Sequence, residues 1–378
     1  MLSFAVAGML ALAVAMGIGR FAFTPVLPMM MQDRGLSLVD GGWLASANYL
    51  GYLVGALAAR WIAGHEERTI GIGLLVISAV TMAMAIPLPL PAMLALRFVA
   101  GVSSALVLVC VSAWSLAILA SRQRSVLNGV VFAGVGTGIA GAGIACLILT
   151  SRNAGSGAAW LLLGAFSLLV LVLHWQYFFG PTHAAVAAVS IRPPAGASQL
   201  PAHTSRLVWC YGAYGFGYII PATFLPVMAR QSLDDPGMVG FAWPLFGLAA
   251  MGSTLVGPWL LRRWSSRDLW IRCHWLMAAG IVLTAFRGTA ATVLVAALLV
   301  GGTFMLITLC AMQEARRIAG AQATPLMAGM TAAFAVGQIA GPLLVSAGSV
   351  QAAIFRPVCC WPPARWRSAP LHWRAMVA

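Results

Sequence analysis

Two guanidinium groups lie where a bilayer would tolerate them least. Arg20 falls eight residues before Pro28 and Arg97 six residues after Pro91, each inside a long apolar run. An arginine at the centre of a membrane span costs about 2.5 to 3.5 kcal/mol on insertion scales, so one that is kept there usually faces a cavity and has a partner. At 1.5 Å per residue both would sit about 9 to 12 Å below the same membrane surface. Equal depth on two different runs fits a shared task, and a guanidinium offers planar, two-point hydrogen bonding to a carboxylate or phosphate. The structural alternative is that each snorkels to the interface or caps a neighbouring helix end.

Tyr211, Tyr214 and Tyr218 form a second constellation. Their spacing of i, i+3 and i+7 puts them on one helical face, and they are three of the six tyrosines in the chain. In a cavity they could stack on an organic solute and donate hydrogen bonds; the alternative is an aromatic seam between helices. Asn48, Tyr49, Tyr52 and Gln338 are further polar residues within apolar runs, and for Asn48 and Gln338 hydrogen bonding between helices is the favoured reading. None of the eight acids lies deep in a run: Asp33 and Asp40 are at run ends, and Glu314, beside Arg316 and Arg317, reads as a surface ion-pair group. His174 and His274 also lie near run ends. A proton-coupling group therefore has no obvious place, although a coupling proton stays among the expected partners.

Other chemistry is disfavoured. The seven cysteines are scattered, with no C-x-x-C pair and no histidine at ligand spacing, so a metal site is not expected and the cysteines read as packing residues. Gly17-x-Gly19 and Gly215-x-Gly217 lack the third glycine and the strand of a dinucleotide-binding turn, and no phosphate-binding loop occurs, so no cofactor is expected. The glycines of 134–143, with Gly337 and Gly341, read as helix-packing positions.

The elements that must position these residues are membrane spans. Of 378 residues, 61% are hydrophobic and 8% charged, and the mean hydropathy is +0.92. Soluble domains carry roughly 25% charge. Cutting at charges, proline and glycine predicts spans at 3–28, 41–63, 69–88, 92–119, 126–150, 158–179, 207–229, 238–261, 269–286, 290–312 and 324–348. The first run has no charged n-region and is longer than a signal peptide, so it reads as a retained span. All 22 basic residues are arginine, and they fall between runs, which argues against nucleic acid as a partner. With the N-terminus inside, inward ends hold twelve arginines (60, 68, 122, 124, 192, 206, 262, 263, 267, 272, 316, 317) and outward ends four (34, 152, 230, 287), which by the positive-inside rule predicts a cytoplasmic N-terminus.

The chain also repeats itself. Gly17-Ile18-Gly19 with Leu27-Pro28 recurs as Gly215-Phe216-Gly217 with Leu225-Pro226, an offset of 198. Trp43, Gly101, Cys110 and Gly129 recur as Trp243, Gly301, Cys310 and Gly329, an offset of 200. A nearly constant offset across five spans predicts a duplicated six-helix bundle, and an even number of spans makes it a parallel repeat. The expected organisation is an N-terminal bundle over 1–180, a Pro-rich cytoplasmic linker over 181–206, a C-terminal bundle with five clear spans over 207–349, and a tail over 350–378. That tail, with four arginines and four prolines from Arg356 on, cannot span hydrocarbon. It is either a natural eleven-span variant with an amphipathic tail or, the favoured reading, a reading-frame change near Phe355.

The two-by-six arrangement resembles the major facilitator superfamily. More narrowly, Gly17-Ile18-Gly19-Arg20-Phe21-Ala22-Phe23-Thr24-Pro25 followed by Leu27-Pro28, and Asn48-Tyr49-Leu50-Gly51-Tyr52-Leu53-Val54-Gly55, are similar to its YbfB/YjiJ-type bacterial branch, over residues 1 to about 354. The resemblance implies that spans one and four line one central cavity, which would make Arg20 and Arg97 available to a substrate anion. Ala59 stands where the superfamily's loop motif carries Asp, so the gating ion pair of that motif is not expected here. Arg97-x-x-x-Gly101 resembles the span-four motif.

The sequence is therefore read as an all-α polytopic membrane protein of two parallel six-helix bundles with a missing or aberrant twelfth span. Its expected function is secondary active transport of a small, anionic or aromatic organic solute across a bacterial inner membrane by a monomer, not enzyme catalysis. The substrate-binding candidates are Arg20, Arg97, Tyr211, Tyr214, Tyr218, Asn48, Tyr49, Tyr52 and Gln338. The alternatives are a membrane sensor or scaffold without flux, an inactive truncated carrier, and, less favoured, an intramembrane transferase, for which no His/Asp or Asp/Asp cluster is found.

Overall fold

The computed structural model describes residues 1–62, 65–180, 204–232, 236–286 and 290–346. Most of the linker and the tail from 347 onward lie outside the described residues, and with them the twelfth-span question.

Every regular element among the described residues is helical. Eleven long helices follow the predicted spans. They are α1 (Leu2–Asp33), α2 (Leu38–Ala59), α3 (Glu66–Ala83), α4 (Leu90–Ser121), α5 (Asn128–Ser151), α6 (Ser156–Leu173), α7 (Thr204–Ser232), α8 (Pro236–Leu260), α9 (Ser266–Phe286), α10 (Ala290–Ala319) and α11 (Ala323–Ser346). Seven of them are long and apolar enough to cross a membrane. Helices are what a bilayer permits, because each satisfies its own backbone groups internally. The predicted stop at Pro28 is overturned: Pro28 sits inside the helix, which continues to Asp33. Proline removes one hydrogen bond, and the flanking turns hold the helix together.

Local chemistry fixes the helix ends. Ser37 and Asp40 form a capping box at the start of α2. The Asp33 carboxylate accepts from the backbone N–H and the hydroxyl of Ser156, capping α6. Arg34 donates to the carbonyls of Ala85 (3.1 Å) and Ile86 (3.2 Å) beyond the end of α3. Asp33, Arg34 and Asp40, expected at outer ends from the sequence, therefore have structural roles.

Packing repeats as the sequence does. In the first half α1 packs on α5, and α4 packs on both α2 and α3; in the second α7 packs on α11, and α10 packs on both α8 and α9. Two close crossings fall at repeated glycines. A Cβ on Gly101 would strike the carbonyl oxygen of Asn48, and one on Gly301 would strike that of Phe246. Those two carbonyls are themselves 198 residues apart. The halves meet along α5 against α8 and α2 against α11.

Candidate functional site

The centre of α1 departs from regular α-helix. Ala13–Phe21 is π-helical, with every residue buried, and it crosses α5 where Gly17 faces Gly138 closely enough that neither position has room for a Cβ. In the π register the carbonyl of Arg20 looks to residue 25, which is Pro25 and has no N–H. A partner comes from α4: the Arg97 guanidinium donates to the carbonyls of Gly19 (3.3 Å) and Arg20 (3.4 Å). Asn48 reinforces this junction, its amide donating to the carbonyl of Arg97 (2.9 Å) and, at 3.4 Å, to that of Gly19. Phe23 covers the Arg97 guanidinium, its ring centroid 4.5 Å from the central carbon.

Arg20 is placed differently. Its side chain is 3% exposed and donates to the amide oxygen of Gln338, so a group on α1 is bonded to one on α11 across the two halves. The guanidinium lies over the Tyr52 ring at 3.7 Å from the centroid, with Tyr49 at 5.4 Å. Its Nε and Nη1 have no acceptor, and the nitrogen of Gln338 and the hydroxyl of Tyr218 are likewise buried without a partner. Tyr218 stands 198 residues after Arg20, at the same place in the repeat. These unmatched groups are all able to donate, and no carboxylate accepts from them.

Each sequence candidate thus has a location. Arg20, Tyr49, Tyr52 and Gln338 come together at the seam between the halves. Arg97 and Asn48 stand behind them with their donors largely spent on backbone carbonyls, which corresponds to the capping alternative. The tyrosine stripe divides: Tyr211 donates to the hydroxyl of Thr308 (3.2 Å) and Tyr214 to the carbonyl of Phe304 (2.8 Å), both on α10, whereas the Tyr218 hydroxyl stays free.

Sequence reasoning missed the apolar part of this region. Tyr218 stacks on Phe304 at 4.3 Å and Trp243 on Phe246 at 5.4 Å, while Phe21 meets Phe304 edge-on at 5.7 Å. A signal existed for Trp243, which repeats Trp43; Trp43 is 61% exposed and Trp243 8%, so the repeat diverges where the halves face each other. The Thr324 hydroxyl bonds Glu66 at 3.2 Å, joining the starts of α11 and α3, and this link was also unforeseen. Glu314 is corrected from a surface group to a buried one, 5% exposed, paired at 2.7 Å with the exposed Arg317. The packing reading of the cysteines holds for Cys110, Cys146, Cys273 and Cys310, but Cys210 is exposed. His174 and His274 each spend Nδ1 on a carbonyl one turn earlier.

Comparison with known proteins finds both a family and a shared fold. The family described as "Uncharacterised MFS-type transporter YbfB" matches residues 12–360. The crystal structure of the human organic anion transporter MFSD10 (TETRAN) superposes with a TM-score of 0.68 at 15% identity, covering 93% of this chain and 94% of that one; at that identity the likeness is one of fold.

Proposed function

We propose, from the premise that the chain belongs to the YbfB-type family of major facilitator superfamily transporters and is therefore a multi-pass membrane transporter, that it carries a small organic anion between its two halves. Bundles over 1–180 and 207–349 would rock about the seam, exposing Arg20 to each side in turn. One observation carries this reading: a buried guanidinium already bonded across the halves keeps two N–H groups without acceptors, beside the equally unmatched Tyr218 hydroxyl and Gln338 amide. Unmatched donors around a positive charge are complementary to a carboxylate. The rings of Tyr52, Phe304 and Trp243 would take the apolar body of the solute. The similarly folded MFSD10 is an organic anion transporter, which agrees with this class.

Arg97 and Asn48 serve this site by holding α1 in its π register, and are positioning residues. The arginine distribution supports a cytoplasmic N-terminus, and this reading takes the carrier to act as a monomer in a bacterial inner membrane. The test is flux into proteoliposomes with paired solutes. Saturable uptake of an aromatic carboxylate and none of its methyl ester is expected; equal transport of acid and ester would overturn the anion reading.

A further inference from the structure

A cavity of about 670 Å³ opens between the first turns of α7 and α9 and the last turn of α10; Tyr214 reaches its wall, but Arg20, Gln338 and Tyr218 are not among its lining residues. Arg206, Arg267 and Arg317 line it against one carboxylate, Glu314, and that carboxylate is already held at two points by Arg317, at 2.9 and 2.7 Å. Its wall is aromatic, with Trp270, His274 and Trp275. Trp270 is 6% exposed and its indole N–H is buried with no acceptor. Trp275 and Ile271 are 75% and 51% exposed, so the wall continues into the outward apolar surface of α9.

The lining carries three arginines against one acid, Glu314, so it has an excess of positive charge. Asp33 ends α1 and Asp40 opens α2, and Asp234 and Asp235 come 28 and 29 residues after Arg206 in sequence. Asp268 is bonded to Ser265, Glu66 to Thr324 and Glu67 to Trp114, and none of the three acids is among the residues that line the cavity. Residues 181–203 and 347–378 contain no Asp or Glu.

We propose that this cavity binds an anionic phospholipid. Arg206 and Arg267, in the first turns of their helices, hold the phosphate. Trp270, three residues or about 4.5 Å deeper than Arg267, offers its N–H to an ester carbonyl. The acyl chains run along Ile271 and Trp275. Basic pockets between spans at the arginine-rich face are suited to such headgroups, and an indole with one apolar and one polar edge is suited to the same depth. Glu314 orients Arg317 and keeps the site from accumulating three unpaired cations.

The test uses the full chain, delipidated in detergent. Native mass spectrometry with phosphatidylglycerol against phosphatidylcholine should show retention of the anionic lipid by roughly thirtyfold, the factor two surface arginines contribute. Phosphatidylglycerol, but not phosphatidylcholine or inorganic phosphate, should slow maleimide modification of Cys210, which lines the cavity, read on its own peptide. The variant R206Q/R267Q should lose both effects, while R122Q/R124Q, which removes two exposed charges from the same face, should keep them. Equal retention of the two lipids, protection by inorganic phosphate alone, or equal loss in R122Q/R124Q would overturn the site. None of these readouts involves solute flux, so they are independent of the transport reading.

Discussion

Arg20→Met removes the guanidinium and leaves an unbranched chain beside Tyr52. In the solute-free protein the losses are a charge-assisted bond to Gln338, about 1.5 to 3 kcal/mol, and a desolvated cation–π contact with Tyr52, about 2 kcal/mol. Against them stands the removal of a buried ion with two unmatched N–H groups, whose effective desolvation cost is several kcal/mol. The opposing terms nearly cancel, so folding stability should move by less than about 2 kcal/mol. Solute binding has no such compensation. Loss of a buried charged partner costs about 2 to 5 kcal/mol, roughly 30- to 4,000-fold in affinity. Thermal melting reads both effects at once. A solute at 100 times its Kd stabilises the wild type by about 2.7 kcal/mol, whereas a thirtyfold weaker variant gains less than about 0.9 kcal/mol at the same concentration. Arg20→Lys should recover part of the binding, because it restores the charge without the planar fork. A variant as strongly stabilised by the solute as the wild type, with undiminished flux in proteoliposomes, refutes the role given to Arg20.

Arg97→Met should lower stability by about 1 to 3 kcal/mol, the cost of a buried carbonyl left without its donor, in equilibrium denaturation; an unchanged midpoint would contradict its assignment to the Arg20 carbonyl. Tyr218→Phe removes a buried hydroxyl that has no partner and should raise stability by about 1 to 3 kcal/mol while weakening solute binding by roughly five- to tenfold. Tyr214→Phe should do the reverse, costing about 1 kcal/mol of stability through the lost bond to Phe304 with affinity intact; calorimetry on both variants decides whether the stripe divides as described. Gly138→Ala places a methyl against the Ala13 carbonyl and 2.8 Å from Gly17 Cα, which should cost about 1 to 3 kcal/mol by overpacking and reduce flux, checked by melting and by transport in matched proteoliposomes.

Much of the site was legible from residue type and position. An arginine inside an apolar run is costly anywhere in a bilayer, so Arg20 and Arg97 stand out without any knowledge of their neighbours. Their different employment was not legible. Arg97 serves carbonyls 77 and 78 residues away and Arg20 an amide 318 residues away, and no spacing rule reaches across such distances. A hint lay in Pro25, which denies the Arg20 carbonyl its π-register partner, but it becomes informative once α1 is known to be π-helical there. Phe304 and Phe246 left no trace, because an aromatic residue in an apolar run has the same pattern whether it faces lipid, core or solute.

Composition, run length and the offset of about 200 residues by themselves determined an all-helical, membrane-embedded, duplicated chain, since bilayer thickness and the cost of unpaired backbone groups admit few other solutions for such a sequence. The tertiary structure decided which buried donors are already satisfied. Tyr211, Tyr214 and Tyr218 share one face by spacing, yet the two acceptors that occupy the first two lie on α10, 97 and 90 residues away, and none reaches the third. Hydrogen-bond satisfaction is a property of atoms brought together by packing, and a list of residues along one chain does not contain it.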